Sequence, residues 1–212
     1  MKSQVLTVSM LLLTFLGGCD YFRSASARIQ RAEDLMATQQ YRAASIELKN
    51  ALEQEPNNPQ AHLLFADILL HLSEPDAAAQ ELRKARANNA NVADSNELDM
   101  RIKLALGRYD EVIAALTNAS DPTPEPQRSL HLAAAYLGLR RYDDALGLFE
   151  RVKSQQVDTQ VGKLEAQLGS IEARTALGQS EQALAELKSI TAAHPEAAAA
   201  WSLQASLLLR AS

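Results

Sequence analysis

Small and large apolar residues recur along this chain at fixed intervals. Ala44, Leu48 and Ala51 are followed 34 residues later by Ala78, Leu82 and Ala85. Within each triplet the steps are four and then three residues, the spacing that returns a side chain to one face of an α-helix. Val112 with Leu116, Ala145 with Phe149, and Ala183 with Leu187 repeat the first two members further on. A helix is expected around each. Punctuation falls between the apolar stretches, at Pro56-Asn57-Asn58, Gly107-Arg108-Tyr109, Gly178 and Pro195. A period near 34 residues is the sequence signature of stacked helical units, each of which buries a face against its neighbours.

Composition strengthens the helical reading. The chain holds 37 Ala and 33 Leu among 212 residues, against 8 Gly and 7 Pro. Alanine and leucine are the best helix formers, so the expected fold class is all-α. Aromatic residues make up only 5%, so helices must pack closely on small side chains. The formal charge of −5 supplies no electrostatic footprint for nucleic acid. No metal or cofactor is expected, because the single cysteine cannot form a multi-cysteine zinc site or a CxxC pair, and His62, His71, His131 and His194 lack ligand spacing. No nucleophile elbow or P-loop occurs, so the chain is not expected to be an enzyme. The four histidines are read as solvated or packing residues, and Gly107 and Gly178 as turn residues where positive φ is cheap.

The lone cysteine stands at an informative place. Met1 and Lys2 start the chain, residues 5–16 form an apolar run too short to span a bilayer, and Leu16-Gly17-Gly18-Cys19 follows. This resembles a bacterial lipobox, which implies a cleaved signal peptide over residues 1–18, a diacylglyceryl group on Cys19 and a tether over 19–24. More than one acyl chain makes anchoring stable, at about 0.8 kcal/mol per buried CH2. Asp20 resembles the enterobacterial signal for inner-membrane retention. The implied location is a membrane lipoprotein facing the periplasm, on the inner rather than the outer membrane. Loss of Lys2 leaves 20 basic against 26 acidic residues, so the lipid and not a polybasic patch must hold the membrane.

The aligned spacings resemble the tetratricopeptide repeat, two antiparallel helices A and B per unit. Ala32, Tyr41, Ala44, Leu48, Ala51 and Pro56 carry the resemblance in a first unit, residues 25–58; Ala66, Ala78, Leu82 and Ala85 in a second, 59–92. Further units are expected at 93–125, 126–163 and 164–197, with a half unit at 198–212. Val112 takes an alanine position in the third, whose second helix should be cut short by Asp121-Pro122-Thr123-Pro124. Tyr41, Tyr109 and Tyr142 are expected to cover inter-helix turns and offer a hydroxyl to the backbone.

The resemblance also implies a concave groove lined by positions 5, 9 and 12 of each unit. These are Ile29, Glu33 and Met36 in the first unit, Leu63, Asp67 and Leu70 in the second, and Glu97, Arg101 and Leu104 in the third. Leu130, Ala134 and Leu137 follow in the fourth, then Leu168, Glu172 and Thr175 in the fifth. An apolar floor with Glu33, Asp67 and Glu172 along it should prefer a neutral or basic extended segment. The family's clamp for a free C-terminal carboxylate needs Lys and Asn where this chain has Ile29 and Glu33, which argues against that ligand. Protein partners are therefore expected in the groove, or at the C-terminal edge, where Trp201, Leu203, Leu207, Leu208 and Leu209 have no following helix to cover them.

A narrower resemblance rests on residues 42–52, Glu81-Leu82-Arg83-Lys84-Ala85 and Tyr109-Asp110-Glu111-Val112. These are similar to the start of the tetratricopeptide-repeat lipoproteins of the PEP-CTERM sorting and exopolysaccharide system. That resemblance implies a lipid-anchored periplasmic scaffold for surface-polymer export or surface-protein sorting. The alternative is a lipoprotein of outer-membrane assembly or pilus biogenesis.

Overall fold

A computed structural model describes residues 23–118, 123, 125–154 and 160–211. The lipobox residues and Asp20 lie outside them, as do Asp121, Pro122 and Pro124. Among the described residues there are eleven helices and no strand: α1 (Ala25–Ala37), α2 (Tyr41–Gln54), α3 (Pro59–His71), α4 (Pro75–Ala87), α5 (Val92–Ala105), α6 (Tyr109–Thr117), α7 (Gln127–Gly138), α8 (Tyr142–Ser154), α9 (Gln160–Ala176), α10 (Ser180–Ala193) and α11 (Ala198–Ala211). The fold class is all-α. The chain divides into two compact units, Met1–Ser95 and Asn96–Ser212, with the boundary inside α5.

In the first unit α1 packs on α2, α2 on α3 and α3 on α4. Helix starts are set locally: Ser24 accepts from the Ala27 N–H and Asn58 from the Ala61 N–H, while Pro59 and Pro75 open α3 and α4 where a missing N–H costs nothing. The 34-residue alanines sit at the crossings. Ala44, Leu48, Ala51, Ala78 and Ala85 are 0% exposed and Leu82 is 2% exposed. Ala78 is fully enclosed at its crossing, so a much larger side chain must displace its neighbours. Ala78→Leu is therefore expected to destabilise by about 1–3 kcal/mol through overpacking. Urea unfolding checks it, and a change below about 0.3 kcal/mol would place Ala78 outside the core.

The second unit stacks α6 on α7, α7 on α8, α8 on α9, α9 on α10 and α10 on α11, with α7 also touching α9. Its core comprises small residues at crossings and large ones beside them, such as Ala145 with Phe149 and Ala183 with Leu187. Helix α6 is short, nine residues, and ends at Thr117 with Asn118 extended.

Five turns join the two helices of a pair in one way. A residue with positive φ, namely Gln39, Ser73, Gly107, Arg140 or Gly178, follows the first helix. The next N–H then bonds to a carbonyl on the last turn of that helix, as in Gln40 to Leu35 at 2.8 Å and Gln179 to Arg174 at 2.9 Å. Glycine fills this left-handed position only twice. The closing hydrogen bonds offset the Cβ penalty at the other three.

The tyrosines after these turns act differently from the expectation. Tyr41 stacks on His71 with ring centroids 4.2 Å apart. Tyr109 lies so close to Gly138 that a Cβ there would fall 2.2 Å from the ring. Each ring thus packs forward onto the end of the next A helix instead of covering only its own turn. The hydroxyls of Tyr41, Tyr109 and Tyr142 take no hydrogen bond among the described residues.

Candidate functional site

Two polar pairs inside the first unit come before any groove, because they fix its A helices. Arg28, 8% exposed, donates to Glu47 at 3.0 Å, and Arg31 reaches the other oxygen of Glu47 at the same distance. His62, 4% exposed, places Nδ1 2.7 Å from a Glu81 oxygen and Nε2 2.9 Å from the Pro56 carbonyl. Both ring nitrogens face acceptors, so both contacts are hydrogen bonds only when the ring carries two protons. Lys84 holds the second Glu81 oxygen at 2.8 Å. The solvated-or-packing reading of His62 misses this pair.

On the A-helix face of the first unit the expected groove residues are unevenly available. Ile29 is 5% exposed, which leaves little of it for a ligand to touch. Glu33 is half-buried and accepts from Gln60 at 2.9 Å, so it already bridges α1 to α3. Asp67, with a 4.0 Å approach to His71, lies between half-buried Leu63 and Leu70. Neither acid is a freely solvated charge.

In the second unit the face is hollowed. Ala134 and Leu137 from α7, Phe149 from α8, and Leu164, Glu165, Leu168, Gly169 and Glu172 from α9 surround a hollow of about 390 Å³. Its floor exists because α9 has no side chain at Gly169: a Cβ there would meet the Phe149 ring at 2.3 Å. A second hollow of about 320 Å³ lies beyond, lined by Tyr142, Thr175, Ala176, Leu203, Ser206 and Leu207, and shares Leu137 and Glu172 with the first. Leu130 is 5% exposed and belongs to the core beneath. Leu104 packs on the cluster of Met100, Val112, Leu116 and Ala135.

Carboxylates in this unit fall into two groups. Glu97 is held below the usual glutamate range by the hydrogen bond from His131, 3.0 Å away, against a desolvation cost. Glu150 is desolvated, yet Arg174 at 2.8 Å and Lys153 at 3.0 Å hold it below the usual range. Glu186 takes Lys153 at 2.6 Å. Glu165 and Glu172 differ: neither forms a hydrogen bond or ion pair among the described residues. Both remain reachable by water at the groove's edge, and desolvation raises the pKa of each. The signs are opposite in consequence. Glu97 and Glu150 stabilise the fold above the glutamate range and lose that contribution as pH falls through it, whereas Glu165 and Glu172 favour the fold more when protonated.

Of the groove positions expected from the sequence, Ala134, Leu137, Leu168 and Glu172 line the first hollow and Thr175 the second, while Glu165, Phe149 and Gly169 were not among those expected. The exposed large apolar side chains of α11 among the described residues are Trp201, Leu208 and Leu209, while Leu207 turns inward beside Leu187 and Ile190. Trp201 Nε1 donates to the Pro195 carbonyl at 3.0 Å.

This architecture has counterparts among known proteins. The crystal structure of TTC0263, a thermophilic TPR protein in Thermus thermophilus, superposes with a TM-score of 0.69 at 20% identity, covering 88% of this chain and 100% of that one. The crystal structure of YrrB, described as a TPR protein with an unusual peptide-binding site, gives 0.48 at 16% identity, covering 84% of this chain and 91% of that one. No curated protein sequence matches the chain. One tetratricopeptide repeat family model matches residues 35–98 and 103–168, and a second matches 171–212. With most of its length matched and its helices paired in the repeat's manner, the chain belongs to the tetratricopeptide repeat family.

Proposed function

We propose that this chain is a lipid-anchored periplasmic scaffold that holds a protein partner in the groove of its second unit, in surface-polymer export or the sorting of PEP-CTERM-type surface proteins. Tetratricopeptide repeat proteins mediate protein–protein interaction, and the observation that carries the reading here is the open double hollow, with two carboxylates that form no hydrogen bond or ion pair among the described residues. An apolar floor with polar groups at its edge suits a docked segment, not a reacting substrate. No helix among the described residues is long and apolar enough to cross a membrane. In this proposal Cys19 carries the anchor. Leu16, Gly17 and Gly18 would direct cleavage before it, and Asp20 supports inner-membrane retention.

Metabolic labelling with palmitate tests the anchor. Cys19→Ala is expected to abolish incorporation and leave the protein uncleaved or soluble, because there is no other cysteine to accept the diacylglyceryl group. Unchanged labelling of that variant would reject the lipobox. Fractionation of the wild type then separates inner from outer membrane.

A further inference from the structure

We propose that the groove of the second unit binds a cationic amphipathic helix, a partner segment with two lysine or arginine side chains seven residues apart and apolar side chains midway between them. Its cations pair with Glu165 and Glu172, and its apolar side chains enter the hollow floored by Phe149. This rests on the scaffold reading and names the chemistry of its partner.

Charge complementarity argues for the cations. Glu97, Glu150 and Glu186 already have partners on this unit, whereas Glu165 and Glu172, which line the hollow, form no hydrogen bond or ion pair among the described residues. Arg174 stands two residues from Glu172, on the other side of α9, and is engaged there with Glu150 at 2.8 Å. Desolvation raises the pKa of both, outweighing at Glu165 the favourable electrostatics of His131 and Arg101, and a ligand cation would favour the charged forms.

Spacing argues for a helix. Glu165 and Glu172 are two turns apart on α9, about 10 Å at roughly 1.5 Å per residue. A ligand helix returns a side chain to the same face after seven residues, over the same distance. An extended segment covers about 10 Å in three residues, which points its two cations to opposite sides. Leu164 and Leu168 lie beside the carboxylates on α9, so apolar side chains midway between the cations meet leucine, with Leu137 facing them from α7.

The test uses the full-length chain in detergent and fluorescently labelled alanine-based peptides. One carries two lysines seven residues apart flanking two leucines. A second has glutamates for the lysines, and a third has the lysine peptide's composition with a central proline. Anisotropy is expected to give the lysine helix about tenfold tighter binding than either other peptide, equivalent to about 1.4 kcal/mol. Glu165→Gln with Glu172→Gln should erase the lysine preference and leave the circular dichroism unchanged, since neither carboxylate forms a hydrogen bond or ion pair among the described residues. Equal affinity for lysine and glutamate peptides, or a preference that survives the double glutamine variant, overturns the proposal. Equal binding of the proline peptide overturns the helical ligand. Each of these leaves palmitate labelling of Cys19 untouched, so failure here is distinguishable from failure of the anchored-scaffold reading.

Discussion

Glu81→Ala is expected to destabilise the first unit by about 3 kcal/mol, while Glu81→Leu combined with His62→Leu stays within about 1 kcal/mol of the wild type. The side chains of the pair are 5% and 12% exposed, so water cannot replace a lost partner well. Removing the carboxylate strands His62 Nδ1 in the core while Nε2 still faces the Pro56 carbonyl. Replacing both partners removes the desolvation penalty along with the attraction. Urea unfolding followed by circular dichroism, with hydrogen exchange in α3 and α4 to localise the loss, distinguishes these outcomes. A double variant as unstable as the single one would show that the pair is not an isolated unit. Stacked repeats can unfold piecemeal, so the exchange data carry the residue-level claim.

That pair also shows where the sequence was readable. Ala44, Leu48 and Ala51 and their 34-residue echoes announce themselves because a helix crossing imposes size at a fixed period, and they are buried as such positions demand. A polar residue imposes no such period. Nothing in the local pattern marks Arg28 or His62 for a buried ion pair, and their burial depends on Glu47 and Glu81, each 19 residues away on the paired helix. A signal was nevertheless present: Arg28 and His62 are themselves 34 residues apart, and so are Glu47 and Glu81. Charge pairs that recur with the repeat period are structural pairs.

The groove was legible in register and less so in depth. Positions 9 and 12 bring Glu172 and Leu137 to the hollow. Position 5 does so for Leu168, whereas Ile29 and Leu130 at the same position sink into the core. A large apolar side chain next to a crossing follows the available packing space, which the repeat pattern does not encode. Glu165 escaped because position 2 is not one of the groove positions that the repeat resemblance implies. Phe149 and Gly169 escaped because they look like a core residue and a helix weakness, and only their contact makes a floor.

Phe149→Ala should produce the largest loss in the second unit, about 3–5 kcal/mol. The ring is 3% exposed and packs among Leu130, Ala133, Ala145, Val152 and Ala166, so deleting it loses that burial and leaves an unfilled apolar void. Gly169→Ala reports on the same contact from the other side. Its new methyl would land 2.3 Å from the ring, an overpacking worth about 1–3 kcal/mol, partly offset by up to about 1 kcal/mol of helix propensity. In a Phe149→Leu background the shorter side chain leaves room for that methyl, so the penalty of Gly169→Ala should shrink or change sign. The Trp201 fluorescence reports this unit, because it is the chain's only tryptophan. Equal cost of Gly169→Ala in both backgrounds would mean that ring and glycine do not touch. If they are coupled as expected, the groove's floor and the unit's core are one structure, and widening the hollow for a larger ligand must cost stability.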